Sequence, residues 1–264
     1  MSDIVLFEHP LSSYAQKVKI ALREKGVAFA TRVPEGLGAA EADPALAALN
    51  PRLEVPILVA GEDRIFDSSI ILEYIEERWP EPALLPANPG ARAFARMTQE
   101  VCDSQYEAVN WGFAEILWFR RAEGEQARQI MATAAAQTRV LQAWLAEQLG
   151  QADWFGGDHF GWADVSVAAI VNRSVHYGLG PDAGSALARW HQRLIQRPSV
   201  AQTFAEFDAA ALAMVEVGRA YVKSGRRREY RDHRLDWMMR SGGVDIVLDG
   251  LRDQTIRLSW PGQG

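Results

Sequence analysis

Residues 4–7, IVLF, form an unbroken apolar run, and Val18, Ile20, Ala21 and Leu22 then recur at helical rather than alternating spacing. The opening therefore reads as strand then helix, half of a βαβ unit. A second strand is predicted at 29–33, a short helix at Pro44–Leu49, and two strands at 57–59 and 64–66 joined as a hairpin through Gly61-Glu62-Asp63. Ile70, Ile71, Tyr74 and Ile75 mark a helix from Ser68 to just before Pro80, and the segment PEPALLP at 80–86 reads as a linker. Between Gly90 and Val217 strand signals vanish, and amphipathic segments break near Glu123-Gly124, Gly150, Gly178 to Gly180 and Pro198. The fold class is α+β: a small α/β domain over residues 1–82, an all-helical bundle over 83–217, and an extension over 218–264.

Composition narrows the partners. A net charge of −6 argues against nucleic acid, which calls for a concentrated basic surface. The start, MSDIVLFEHP, lacks the basic and long apolar regions of a secretory signal, and no later run of about 18 apolar residues suggests a membrane span, so a cytoplasmic protein is expected. The single Cys102 excludes an internal disulfide framework, and the five histidines show no close pairing, so no metal site is expected.

Three short segments carry chemistry. Pro10-Leu11-Ser12-Ser13-Tyr14 gathers three hydroxyls at a predicted helix start, where one serine would serve as cap. In Asn50-Pro51-Arg52-Leu53-Glu54-Val55-Pro56-Ile57-Leu58 the second proline is compatible with a plain strand entrance or with a cis turn that aims backbone groups. Asp67-Ser68 opens a helix, whose first-turn N–H groups suit an anion or merely a solvated cap. Together with Phe160-Gly161-Trp162-Ala163-Asp164, these segments resemble, in order, the motifs of the cytosolic glutathione transferase superfamily.

The resemblance implies a thioredoxin-like first domain with a cis Val55–Pro56 bond, glutathione as co-substrate, no metal, and a homodimer. It implies that Val55 pairs through its backbone with the cysteinyl part of glutathione, and that Asp67 and Ser68 take the γ-glutamyl end, where the family more often has Glu in place of Asp67. The thiol-contacting position lands on Ser12. Ser12-Ser13-Tyr14 resembles the zeta-class Ser-Ser-Cys segment, and the same count reaches the theta-class serine. A hydrogen bond to a charged group contributes about 1.5–3 kcal/mol, so a hydroxyl facing the sulfur lowers a thiol pKa by roughly one or two units from about 8.5. Ser13 is then the expected cap and Tyr14 either core or a second hydroxyl donor.

The helical half is less specific. Tyr106, Asn110 and Phe113 share a helix face and are candidates for the electrophile pocket or for plain core, and Gly161 leaves only half of a capping box with Asp164. The extension interleaves arginines with acids and carries Leu235, Trp237, Met238 and Met239, which suits a docked lid or interface arm better than a disordered basic tail. Within it, 244–249 is expected to be a strand or an extended segment. Two functions remain: a glutathione transferase acting on a small hydrophobic electrophile by conjugation or ether/thioether cleavage, and a non-catalytic binding protein on the same fold.

Overall fold

The computed structural model describes residues 4–35, 37–39, 43–224 and 226–258, and of residues 215–217, 219, 222 and 223 the backbone alone. Strand β1 (Ile4–Phe7) lies parallel to β2 (Ala30–Arg32) and antiparallel to β3 (Ile57–Ala60), which pairs with β4 (Asp63–Phe66) to give the order β2-β1-β3-β4. Ala60 faces Asp63, leaving Gly61 and Glu62 as a two-residue loop, and Gly61 supplies the positive φ of 65° that such a hairpin requires. Helices α1 (Ser13–Glu24), α2 (Pro44–Leu49) and α3 (Ser68–Arg78) complete the domain. Among the described residues Val55–Pro56 is cis, as is Glu81–Pro82 in the linker.

α1 is buried on more than its apolar face. It packs against α3 and two helices of the second half, α7 (Trp162–His176) and α9 (Pro198–Lys223), so Lys17 and Lys19 are almost wholly enclosed. Enclosure of a charge requires a partner. Lys17 pairs with Asp103, and Lys19 with Glu8 and Glu206, so these lysines tie the domains together where periodicity alone would read a solvated face.

The helical half comprises α4 (Pro89–Val101), a π-helical turn over Cys102–Tyr106, α5 (Glu107–Leu117), α6 (Gly124–Leu149), α7, α8 (Ala186–Leu194) and α9. At the start of α7, Asp164 accepts hydrogen bonds from Gly161 N (3.0 Å), Phe155 N (3.1 Å) and Trp190 Nε1 (2.7 Å). Burial outweighs these donors and pushes its carboxyl up to about 6. Gly161 stands where a side-chain cap would help, but a Cβ there would lie 2.8 Å from the Leu84 carbonyl. The linker's close approach accounts for the missing half of the capping box.

The extension folds onto this body as β5 (Arg228–Glu229), α10 (Asp232–Arg240), α11 (Val244–Arg252) and β6 (Ile256–Arg257), with β5 and β6 parallel. The strand expected at 244–249 is instead helix α11. Its β-branched residues mimic a strand, but Ile246, Val247 and Gly250 face inward at helical spacing, and packing overrides local propensity. Trp237, Met238, Ile246 and Ile256 are buried, whereas Leu248 and Leu251 are exposed and Trp260 lies outside the described residues.

Trp237 seats its ring on Gly112 of α5 and donates from Nε1 to Gln137 Oε1 at 2.6 Å. A Cβ at position 112 would come within 1.9 Å of the ring, so Gly112→Ala expels Trp237 despite alanine's better helix propensity. Overpacking of this kind costs about 1–3 kcal/mol. Amide exchange is expected to accelerate across α10 and α11 in that variant while α7 stays protected; unchanged exchange in α10 would contradict this seating.

Candidate active site

The turn between β1 and α1 is built by Ser12. Its backbone is extended (φ −79°, ψ 112°), its N–H donates to the His9 carbonyl (2.8 Å), and its Oγ accepts from Ala15 N (3.2 Å). Ser12, not Ser13, is therefore the N-cap, because Ser13 already belongs to the helix. The Ser12 hydroxyl proton has no acceptor among the described residues, which leaves it available to a group in the cleft.

That cleft, about 980 Å³, is walled by Ser12, Tyr14, Val55, Pro56, Asp67, Ser68 and Asn110 together with the extension. Asn50 shapes the cis-proline loop by accepting from Arg52 N and donating to the Glu54 carbonyl, both at 2.9 Å. Among the described residues, neither the N–H nor the C=O of Val55 makes a hydrogen bond within the chain. Asp67 caps α3 by accepting from Ser69 N (3.0 Å), so Ser68 is the first residue inside the helix. Its φ of 73° is a strained conformation for a residue other than glycine, a kind of strain that concentrates at functional sites. Arg52 stands 3.4 Å from the other Asp67 oxygen.

Two of the three expected pocket residues lie elsewhere. Tyr106 is buried and its hydroxyl meets Gln142 and Ser174, each at 2.9 Å, while Phe113 is buried and stacks on Tyr177 at 4.9 Å. The helix face they share points mostly into the bundle, and only Asn110 reaches the cleft, although it too bonds inward, to the Ile170 carbonyl (2.9 Å). Tyr14 lines the cleft but donates its phenol proton to the Asp103 carbonyl (2.6 Å). Burial and then the nearby Glu107 carboxylate raise its pKa well above 10, so it holds that proton firmly.

The opposite wall comes from the extension, which the sequence suggests as a docked lid or interface arm without saying which of its residues meet the cleft. Arg234 donates to both oxygens of buried Glu107 (2.6 and 3.1 Å), and His233 Nε2 lies 3.0 Å from Glu107 Oε2 and 3.2 Å from the Tyr14 hydroxyl. Glu115 receives Arg228 Nε (2.6 Å) and the Tyr230 hydroxyl (3.0 Å). Arg231 reaches Glu54, beside Val55, at 2.7 Å. The signal was the run of alternating arginines and acids at 226–236, which names the cations without naming their carboxylates.

The model of the glutathione S-transferase N-terminal domain matches residues 6–83, and that of the C-terminal domain residues 133–193. The chain belongs to the cytosolic glutathione S-transferase superfamily. Glutathione S-transferase U28 of Arabidopsis thaliana is 28% identical over 213 residues, spanning 78% of this chain and 90% of that protein. A stringent starvation protein A homologue of Pasteurella multocida is 30% identical over 205 residues, spanning 76% and 90%. The glutathione-bound theta-class glutathione S-transferase of Xanthomonas axonopodis pv. citri superimposes with a TM-score of 0.65 at 26% identity, covering 77% of this chain and 97% of that one. Within this glutathione transferase fold, Ser12, the cis-proline loop and the α3 N-terminus meet at one cleft, and the extension adds a further wall.

Burial opposes ionisation of Glu107, but Arg234 and His233 overcome it and bring the carboxyl down to about 2 from the ordinary 4.5. A depressed carboxyl gives stability that is complete above about pH 4.5 and is lost as pH falls toward 2, about 3 kcal/mol in all. Amide exchange in α10 is expected to rise through that acid window, and Glu107→Gln to loosen α10 at neutral pH by a comparable amount. Protection of α10 that is equal at both ends of the window would contradict the link.

Proposed function

We propose that this chain is a glutathione-dependent transferase in which Ser12 stabilises the glutathione thiolate for attack on a small electrophile, by conjugation or by ether or thioether cleavage. The observation that carries this reading is the convergence, on one cleft, of a serine hydroxyl with an uncommitted proton, the free backbone groups of Val55, and the N-terminus of α3. Val55 would hold the cysteinyl backbone as an added strand does. Ser68 and the first-turn N–H groups of α3 would take the γ-glutamyl carboxylate, and Asp67 the ammonium. The hydroxyl of Ser12 would then donate to the sulfur, with the field of the α1 N-terminus adding to it. Sulfur attacks the electrophilic carbon, and the leaving group departs with its electron pair. The extension would act as a fixed wall over the electrophile.

A second reading, a binding module on the same fold, is supported by the relative named as a stringent starvation protein and by Asp67, whose carboxylate already engages Ser69 and Arg52. Calorimetric titration with glutathione separates the two: binding with turnover of a test electrophile supports the enzyme, and no heat at millimolar ligand supports the module.

Removing the hydroxyl removes a bond made chiefly to thiolate, so Ser12→Ala is expected to raise the bound thiol's pKa by about one to two units and to lower turnover about 10-fold or more, with little loss of glutathione affinity. If instead Ser12→Ala leaves the thiolate titration unchanged and Tyr14→Phe abolishes it, the phenol carries the role. The protein is proposed to be cytoplasmic and a homodimer, the pairing supported by exposed Ile70 on α3 and Met97 on α4 beside the Glu73–Arg96 pair that joins those helices. Light scattering at micromolar concentration is expected to give twice the chain mass; a monomer would rule the dimer out.

A further inference from the structure

Among the cations of the cleft, Arg173 and Arg227 each keep a buried Nε without a partner among the described residues, and of the two it is Arg173 that is buried as a whole. Its side chain, on α7, is 7% exposed, donates to the Leu11 carbonyl, and lies over the rings of Trp118 (5.4 Å) and Phe207 (4.9 Å). Its Nη1 is 3.5 Å from the Tyr177 hydroxyl, and its buried Nε has no partner among the described residues. A buried guanidinium ordinarily has a carboxylate, because desolvation without one is costly. Here the enclosed carboxylates of the cleft are taken, Glu54 by Arg231, Asp67 by Arg52, Asp103 by Lys17, Glu107 by Arg234 and Glu229 by Arg257, while Glu35 and Glu100, which also line it, are exposed and make no ion pair with Arg173.

Arg226, from the extension, also lines the cleft and donates to the Leu37 carbonyl at 3.3 Å, again with no carboxylate in ion-pair contact among the described residues. His9 registers the surplus of positive charge: burial, then Arg173, Lys19, Arg228 and Arg226 all push its imidazole down. Of those four, Lys19 and Arg228 are matched by Glu8, Glu206 and Glu115. The lining of the cleft is in part apolar, with Trp118, Phe119, Ala114 and Met214.

We propose that Arg173 and Arg226 form an anion subsite in the acceptor half of the cleft, so that the second substrate is an apolar, ring-bearing electrophile carrying a carboxylate. The inference rests on the transferase reading above. The ring would lie along the apolar wall of Ala114, Trp118, Phe119 and Met214, one face of Trp118 being covered by Arg173 and one of Phe119 by Arg228, and the carboxylate would take the unused donors of Arg173, for whose planar fork it is a natural partner. Arg173 comes from the helical half and Arg226 from the extension, whereas the glutathione contacts proposed at Val55, Asp67 and Ser68 come from the α/β half. The subsite therefore selects the acceptor rather than the thiol.

The test uses two conjugates that differ only in the charge of the acceptor, S-(4-carboxy-2,6-dinitrophenyl)glutathione and its aryl methyl ester, titrated calorimetrically into the full-length protein. The acid is expected to bind at least about tenfold more tightly than the ester, with a preference that narrows as salt rises. Because both carry the same glutathionyl group, any disturbance of the glutathione contacts cancels in the ratio. Arg173→Met is expected to bring the ratio within about twofold, Arg173→Lys to keep part of it, and Arg226→Gln to lower it about threefold. Arg226 is exposed, so its variant and the salt dependence serve even if Arg173→Met does not fold. Glutathione binding with equal or tighter binding of the ester, or an acid preference that survives Arg173→Met, overturns the subsite and leaves the transferase reading standing. Failure of glutathione and of both conjugates to bind overturns both.

Discussion

Glu107 and Glu115 lie eight residues apart on α5, both buried, and each meets a guanidinium that the C-terminal extension brings to it, Arg234 at the first and Arg228 at the second. A buried carboxylate stripped of its partner is costly, so α5 and the extension hold each other in place. Much else follows from that mutual dependence. With Arg234 fixed, His233 stands between Glu107 and Tyr14; with Arg231 fixed, the extension grips Glu54 beside the cis-proline loop. The cleft thus has walls from three parts of the chain, and the ion pairs of α5 set the position of the third.

The first domain was legible almost element by element, because its strands are short apolar runs bounded by turn residues and its helices carry clear caps. The errors were local and physical. Adjacent serines at 12 and 13, and Asp67 beside Ser68, offer equivalent caps in sequence, and only the backbone conformation decides which residue stands outside the helix. At 244–249 the β-branched residues suggested a strand, but the segment is held by packing on one side only, which suits an amphipathic helix.

The candidate site was legible where it depends on contiguous motifs and illegible where it depends on distant pairs. Ser12, Val55, Pro56, Asp67 and Ser68 each lie within a short recognisable segment, and they meet at one cleft. Arg234 and Glu107 are 127 residues apart in sequence, and charge patterning cannot say which carboxylate an arginine finds. Helical spacing likewise grouped Tyr106, Asn110 and Phe113 correctly on one face but could not tell that the face turns toward Ser174 and Tyr177. The same limitation hid Arg173, which reads as one more arginine on a helix until its neighbours are known.

Two features meet in one cleft: a serine turn whose hydroxyl is free to face a sulfur, and a docked extension that adds a wall beside it. A structure of the full chain with glutathione tests both at once. The sulfur is expected within hydrogen-bonding reach of Ser12 Oγ, with the cysteinyl backbone on Val55 and Arg234 still on Glu107. A sulfur bound at Tyr14 and away from Ser12, or an extension displaced from α5 when glutathione is held, would contradict it.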